Sequence, residues 1–558
     1  MKMSSNRGKR DDFIVQGSIL AAAAVISRII GAAYRIPLTN ILGEEGMGFY
    51  AVAFQAYALA LILSSFAFPV AVSKLVSARI ALKQRKNAFR VFVFALFFAV
   101  LVGIFVFTVI FFQAEFIATT FFNQPLAAYA LRVLAVGLLV VAVMGVVRGY
   151  FQGLGTMIPT AISQIVEQIF NAIVSLVGAF VLIRIGAGMV AEFGDVLIEP
   201  AYGAAGGTLG TVAGSVFGLG FLGFAFLIYR KVIIKQMKRD TTTKTERYRD
   251  IAKIFILTTA PIIFSTAIYD VNALIDMVFF GNVMRMQGVA REVSAAYQGI
   301  YSGMYMVLVS VPLAIAAGLS ASSIPSLTAA VTKGNRKEAQ NKIGQVFCIT
   351  TLITIPCFVA FVVLSAPLMT LLFGNRGNDT AALLLSIGAI TVVLYSLTTV
   401  TNAILQGINK ITLPARNAAI ALGFHIVTLT LLLMVFELGI YSLAGSNIVF
   451  SLVMAILNIR SIRKYSGFRL EIERTFIKPL IGAVVMGIIA YLIYLLLSLL
   501  VGGRFIPIII TILIAVLVYG FVVLKLGTLS RSDIMELPMG ARIYKVAKKA
   551  RALPKNYE

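Results

Sequence analysis

One histidine, two cysteines and no tryptophan occur in 558 residues, and only 13% of the chain is charged. With His425 as the sole histidine, neither a multi-histidine metal site nor a pair of catalytic histidines can form. Cys348 and Cys357 share one apolar stretch and read as buried small hydrophobes. Two cysteines exclude a disulfide-stapled secreted scaffold. Soluble domains carry roughly 25% charged residues, so the scarcity of charge excludes a soluble enzyme and a disordered chain. Acidic residues are the scarcer sign, 23 against 48 Lys and Arg, for a net charge of +25. In a soluble protein that excess would suggest nucleic acid. Here the positives lie between apolar stretches, which points to membrane topology and to no nucleic-acid partner.

What the chain has in quantity is hydrocarbon: 59% of its residues are hydrophobic. A spanning helix takes roughly 20 apolar residues, and the runs divide into fourteen spans. Their limits are 13–36, 48–78, 89–112, 125–147, 159–183, 203–229, 252–280, 294–324, 343–370, 381–405, 415–436, 440–459, 478–501 and 505–524. The first apolar run continues past Arg28 with no small-x-small cleavage site, so it reads as a retained span. With the N-terminus inside, 39 of the 48 Lys and Arg fall on inner segments or on the first two residues at a span's inner end (Arg90, Lys253, Arg416 and Lys478). Five fall on outer loops (Arg184, Arg285, Arg291, Arg376 and Arg504) and four deeper within spans. That bias implies a multi-pass protein of a bacterial cell membrane with both termini cytoplasmic. The basic tail from Lys545 to Lys555 is expected at the anionic lipids of the inner leaflet.

The chain repeats itself. Gln152-Gly153 in RGYFQGLGTMIP matches Gln406-Gly407 in NAILQGINKITLP at an offset of 254 residues. Both stand in a short inner loop, between spans four and five and between spans ten and eleven. The expected fold is therefore all-α and polytopic: two six-helix repeats of equal orientation plus two extra C-terminal helices. The divisions are a cytoplasmic tail (1–12), an N-lobe of spans 1–6 (13–230), a basic cytoplasmic linker (231–251), a C-lobe of spans 7–12 (252–460), spans 13 and 14 (461–524) and a basic cytoplasmic tail (525–558). Transporters with such repeats hold substrate between the halves. Span six carries Gly206, Gly210, Gly214 and Gly218 on one face, a surface for close helix packing.

A charge in hydrocarbon costs about 2.5–3.5 kcal/mol, so intramembrane charges face protein or water. Arg28 lies deep in the first span, and Arg35 follows two turns later on the same face. Two guanidinium forks on one stripe suit a phosphate-bearing substrate; the alternative is pairing with Glu44, Glu45 or Glu167. Lys74 and Arg132 are further candidates for lining a cavity, with snorkelling as the alternative. Glu167 in span five either pairs with one of these cations or faces water. Asp270, Asn272 and Asp276 in span seven are candidates for ion coupling, as is His425 in span eleven, whose counterpart at offset 254 is Asn171. Tyr297, Tyr301 and Tyr305 form a stripe on span eight that reads as packing.

Ser27-Arg28-Ile29-Ile30-Gly31-Ala32-Ala33-Tyr34-Arg35-Ile36-Pro37, followed by Leu42-Gly43-Glu44-Glu45-Gly46-Met47-Gly48, resembles the start of flippases in the multidrug/oligosaccharidyl-lipid/polysaccharide (MOP) exporter superfamily. The likeness is closest to the MurJ-like branch that includes the stage V sporulation protein B group, and Pro69–Val76 resembles that group's second span. The resemblance implies a V-shaped alternating-access carrier, not an enzyme. Its cargo would be an undecaprenyl-pyrophosphate-linked sugar, such as lipid II, moved from inner to outer leaflet. Spans 13 and 14 would form a groove for the lipid tail, and Arg28 would match a first-span arginine of the cavity. Asp276 resembles a sodium ligand of some members, although span eleven offers only Asn417 and His425 beside it, so proton coupling stands as the alternative to sodium. No cofactor is implied; cell-wall synthesis machinery is the protein partner to expect. The competing readings are a drug or cation antiporter on the same superfold, a membrane glycosyltransferase and a wall-synthesis scaffold.

Overall fold

The computed structural model describes residues 3–240, 242, 245–332, 334–374, 378–410, 412–501, 505–529, 544–545, 548 and 553. The side chains of 3–18, 21, 63, 66, 193, 261, 264–270, 319–326, 329, 332 and 378 lie outside that description. Asp270, Arg376, Arg504 and most of the basic tail therefore fall outside it as well. Among the described residues every regular element is helical, as the apolar runs predict. Among the described residues eleven helices are long and apolar enough to cross a membrane. The predicted spans 13–36, 48–78 and 252–280 are helical but are not among those eleven, so the count of fourteen is not reached on that measure.

The chain forms two compact units, 1–303 and 304–558. The first holds α1 (Met3–Leu61), α2 (Phe68–Ala81), α3 (Arg85–Phe112), α4 (Ala114–Thr120), α5 (Ala127–Gly153), α6 (Ile158–Phe193), α7 (Ile198–Lys238), α8 (Tyr248–Met286) and α9 (Arg291–Gly299). α1 is broken at Gly43, whose φ of 74° and ψ of −176° suit only glycine. The unit extends beyond the 231–251 linker because α9 lies against α1 at backbone distance. A Cβ on Gly48 would stand 2.0 Å from the Ala295 carbonyl oxygen, and one on Gly299 would stand 1.8 Å from that of Glu44. The glycine stripe of span six, on α7, is packed on α6. A Cβ on Gly206 would meet the Gly178 carbonyl oxygen at 2.1 Å, on Gly210 the Ser175 Oγ at 2.1 Å, and on Gly214 the Glu167 carbonyl oxygen at 2.5 Å. Small residues replace bulk here because lipid supplies no hydrophobic drive for helix association, and close contact must do so.

The linker after α7 is fastened to the turn between α2 and α3. Arg79, buried on α2, forms a two-pronged ion pair with Glu246, its Nε donating to Oε1 at 2.9 Å. The Glu246 N–H donates to Asn87 Oδ1 at 3.0 Å. Asp240 accepts from the Lys86 N–H at 2.6 Å, the Thr242 N–H at 2.8 Å and the Thr242 hydroxyl. Desolvation raises the Asp240 pKa, but those hydrogen bonds and the Lys86 charge outweigh it and hold the carboxyl at about 2.

The second unit holds α10 (Met306–Thr332), α11 (Arg336–Val363), α12 (Ser365–Phe373), α13 (Asn378–Gly388), α14 (Ile390–Gly407), α15 (Thr412–Thr430), α16 (Tyr441–Ser466), α17 (Lys478–Leu500) and α18 (Phe505–Lys525). Tyr305, at the end of the π-helical stretch Ile300–Tyr305, donates to the Gly388 carbonyl at 3.1 Å and lies 2.8 Å from Thr391 Oγ1. Tyr301 is buried with it and Tyr297 meets Phe280, so this stripe packs as expected.

The internal repeat is visible in the helices: α6 and α15 start 254 residues apart. Each repeat ties its α5–α6 or α14–α15 hairpin with polar side chains at matching positions. In the first, Arg148 donates to Ser163 Oγ at 3.0 Å and to Glu167 Oε2 at 2.8 Å. In the second, the equivalent residues Asn402 and Asn417 are joined through Asn458, which donates to Asn402 Oδ1 at 2.8 Å and accepts from Asn417 at 2.8 Å. Thr401 and Ser461 complete that buried amide network.

Candidate functional site

The first unit gathers polar side chains along the seam between α1 and α6. α1 is helical from Arg28 to Arg35, so the two arginines stand about 10.5 Å apart along one stripe. Arg28 is exposed, and among the described residues no carboxylate lies within ion-pair distance of it. The Arg35 guanidinium is half-buried beside the hydroxyls of Tyr34 and Tyr50. It too lacks a carboxylate partner among the described residues. Its backbone carbonyl accepts from Thr39 Oγ1 at 2.8 Å, which fixes the turn that aims it.

α6 faces this stripe with a polar lane of its own. Asn171 Nδ2 donates to the Tyr34 hydroxyl at 3.4 Å, and Asn171 Oδ1 accepts from Ser175 at 3.0 Å. Ser175 also donates to the Gly207 carbonyl at 2.7 Å, linking α7. Gln168 stands opposite Gly31, its Oε1 3.6 Å from where a Cβ would be. Ser27 Oγ on α1 and Gln164 Oε1 on α6 are buried with no protein hydrogen-bond partner among the described residues. Buried polar atoms are normally paired, so this seam is polar beyond the needs of packing. Gln164, Gln168, Asn171 and Ser175 recur at intervals of four, three and four, one face of a helix. That spacing marks the lane in the sequence, where charge and repeat position make only Glu167 and Asn171 of this helix conspicuous.

The other candidates are distributed. Glu167 is paired with Arg148, their side chains 22% and 13% exposed, and not with either α1 arginine. Arg132 pairs with Glu115 at 3.2 Å near the start of α5, in an exposed position. Lys74 is exposed on α2. Asn272 and Asp276 are buried one turn apart on α8 of the first unit. His425 is fully buried on α15 of the second, its ring edge-on to Phe450 at 5.9 Å. Asn417, named as a partner for a span-seven cation site, is committed to the amide network. Among the described residues no three His, Cys, Asp or Glu side chains gather as a metal cluster.

A helical membrane protein with a cation-bearing, polar seam in its first unit belongs to the transporters in architecture. The family model described as "Polysaccharide biosynthesis protein" matches residues 14–331, and the MatE model matches 261–431. The chain belongs to the polysaccharide biosynthesis protein family, within the MOP superfamily. It is 27% identical over 413 residues to the Lipid II flippase MurJ of Bacillus subtilis (strain 168), covering 70% of this chain and 72% of the relative. It is 26% identical over 403 residues to the Stage V sporulation protein B of the same organism (72% and 74% covered). An uncharacterized membrane protein there, YabM, is 25% identical over 555 residues, 97% of this chain and 98% of its own. Among solved structures, an inward closed MurJ aligns at a TM-score of 0.62 and 16% identity over 90% of this chain and 97% of that one. An inward-facing multidrug resistance MATE transporter aligns equally well at 17% identity, covering 81% and 98%. MurJ and the MATE protein are a flippase and a transporter, not catalytic enzymes, and the all-helical fold expected from the sequence is the fold found.

Proposed function

We propose that this protein is an alternating-access flippase that moves a pyrophosphate-linked, lipid-anchored sugar from the inner to the outer leaflet. The observation that carries the reading is the pair Arg28 and Arg35, aligned on α1 without carboxylate partners among the described residues and flanked by the α6 lane. A pyrophosphate sheds water to cross, and fixed guanidiniums replace that hydration bidentately. Amides of the lane suit sugar hydroxyls, and the prenyl tail stays in lipid. The match to a lipid II flippase supports this cargo class.

Arg28 and Arg35 bind the head group in this reading, and Lys74 and Arg132 attract it at the ends of the path. Both termini lie in the cytoplasm, as the charge bias requires. An inside-negative potential drives negative cargo outward at ~2.3 kcal/mol per charge per 100 mV. Asn272 and Asp276 in the first unit and, taken separately, His425 in the second are the ion-coupling candidates; a proton suits them as well as sodium. Cell-wall synthesis machinery consumes the product on the outer face.

The test is made in proteoliposomes with a fluorescent prenyl-pyrophosphate disaccharide in the inner leaflet. Wild type exposes it to an external glycan-modifying enzyme, and Arg28→Ala reduces that rate at least tenfold. Equal rates in wild type and Arg28→Ala remove the proposed site. No movement in either, together with uptake of an organic cation, supports the antiporter reading that the MatE match favours.

A further inference from the structure

The second unit contains a polar cavity that the transport path in the first does not use. It arises where α16 ends. Gly467 takes the left-handed conformation (φ 71°) and its N–H bonds the Arg463 carbonyl. The chain then crosses the start of α11. Phe468 stacks on Phe347 with ring centroids 5.8 Å apart and planes within 3°. Gln340 Nε2 donates to the Ser466 carbonyl at 3.0 Å. The π-helical turn Glu473–Ile477 leads into α17 and buries Thr475. Between α11 and this segment lies a cavity of about 490 Å³. Cavities that hold small molecules have roughly 300–1,000 Å³.

Its walls carry complementary chemistry. Arg469 and Arg474 supply guanidiniums, Asn341 and Gln345 supply amides, and Glu471 supplies one carboxylate. Arg474 is held in place, its Nε donating to the Thr528 carbonyl at 3.1 Å and its Nη1 lying 3.9 Å from Glu471. Arg469 is exposed and makes no ion pair among the described residues. Guanidiniums bind phosphate oxygens, amides donate to ester or hydroxyl oxygens, and a carboxylate accepts from a hydroxyl. The apolar, exposed face of α17 begins beside it at Ile477, Leu480 and Ile481, which puts the cavity at the edge of the hydrocarbon layer.

We infer that this cavity binds a phosphate ester bearing free hydroxyls, of the kind offered by a glycerophosphate. The same chemistry reaches the cavity either as the head group of an anionic lipid or as a soluble phosphate ester.

The absence of tryptophan provides the probe. Phe468→Trp places one fluorophore on the cavity wall of the full chain in phosphatidylcholine nanodiscs. Dioctanoyl phosphatidylglycerol and glycerol 3-phosphate are titrated separately, with dioctanoyl phosphatidylcholine as control. The expected result is a saturable emission change with at least one of the two phosphate esters and none with the control. Saturation by the lipid without displacement by glycerol 3-phosphate identifies a head group as the source; displacement identifies a soluble ester. Arg469→Gln in this background weakens binding at least tenfold with an unchanged melting temperature. Gly344→Leu abolishes it by filling the space, because a Cβ there stands 3.4 Å from the Phe468 ring. Radiolabelled ligand retained by protein with Phe468 intact checks that the tryptophan did not create the site. No saturable binding by either method, or equal affinity in Arg469→Gln, overturns the inference. Flipping by Arg28 is a separate assay and is unaffected by this result.

Discussion

Replacing Glu167 by Gln should damage stability far more than substrate recognition. Arg148 and Glu167 meet at 2.8 Å with little exposure. At that separation two unit charges attract by about 6 kcal/mol at an effective dielectric of 20. Desolvation offsets much of this in the wild type, so the pair contributes little net. The variant is different, because Arg148 remains desolvated with its Ser163 bond and only a neutral amide oxygen in place of the carboxylate. Loss of one partner of a buried pair costs about 3–5 kcal/mol. Partial exposure of both side chains brings the expected cost to roughly 3 kcal/mol at the low end of that range. The double variant Arg148→Met with Glu167→Leu should recover most of it, since well-packed apolar replacements are often neutral. The assay is a double-mutant cycle on denaturant unfolding in detergent micelles, with flipping rates measured alongside. A coupling energy below about 0.5 kcal/mol, the scatter of independent sites, would refute the assigned pair. So would a flipping defect in Glu167→Gln as large as that of Arg28→Ala at full stability.

Three further outcomes follow from the packing and the linker. Gly210→Val should prevent stable assembly of α6 with α7, since its Cβ alone would lie 2.1 Å from Ser175 Oγ, whereas Gly220→Val, with nothing within 4 Å, should melt like wild type. The Asp240 carboxyl has a folded pKa of about 2 below its ordinary 3.8. Its contribution is therefore complete above pH 3.8 and lost as pH falls through about 2. Limited proteolysis of the 239–247 linker should be faster in Asp240→Asn than in wild type at neutral pH and should converge with it near pH 2. Single cysteines placed at Thr242 and at Glu192, with Cys348 and Cys357 changed to Ala, should react with impermeant maleimide from the cytoplasmic and the outer side respectively; labelling of Thr242 from outside and Glu192 from inside would reverse the orientation, and labelling of both from one side would refute the topology.

The helical class and the repeat were legible because both rest on composition and spacing, which survive without tertiary information. Lipid demands long apolar runs, and Gln152-Gly153 and Gln406-Gly407, expected in loops, recur as the last helical residues of α5 and α14. The glycine stripe on α7 was legible for the same reason: spacing of four has one meaning on a helix. What spacing could not supply was partnership. Arg148, a lone inner-loop positive in the topology count, takes Glu167, because α5 and α6 form a hairpin whose register brings positions 19 apart together. Arg132 takes Glu115 from the preceding helix. The break at Gly43 hid the length of α1, since Glu44 and Glu45 read as a loop while the backbone continues helical on either side of one residue. The unit boundary at 303 was hidden too: contact between Gly48 and Ala295 depends on backbone approach that no side-chain pattern announces.

The side-chain staples of the two hairpins have a mechanical consequence. A pair of helices pinned part-way along its length by Arg148–Glu167, or by Asn402, Asn417 and Asn458, behaves as a single lever arm whose two rods cannot shear past one another. Any stroke the protein makes is then concentrated in joints outside these arms. Among the described residues the backbone offers the swivel at Gly43 and the under-wound, π-helical collars Ile62–Phe66, Ile300–Tyr305, Leu431–Val435 and Glu473–Ile477, each of which interrupts the regular hydrogen-bond ladder. The arm of the first repeat is latched by charge and that of the second by neutral amides. Removing one charge by substitution would therefore loosen one lever and has no counterpart in its twin.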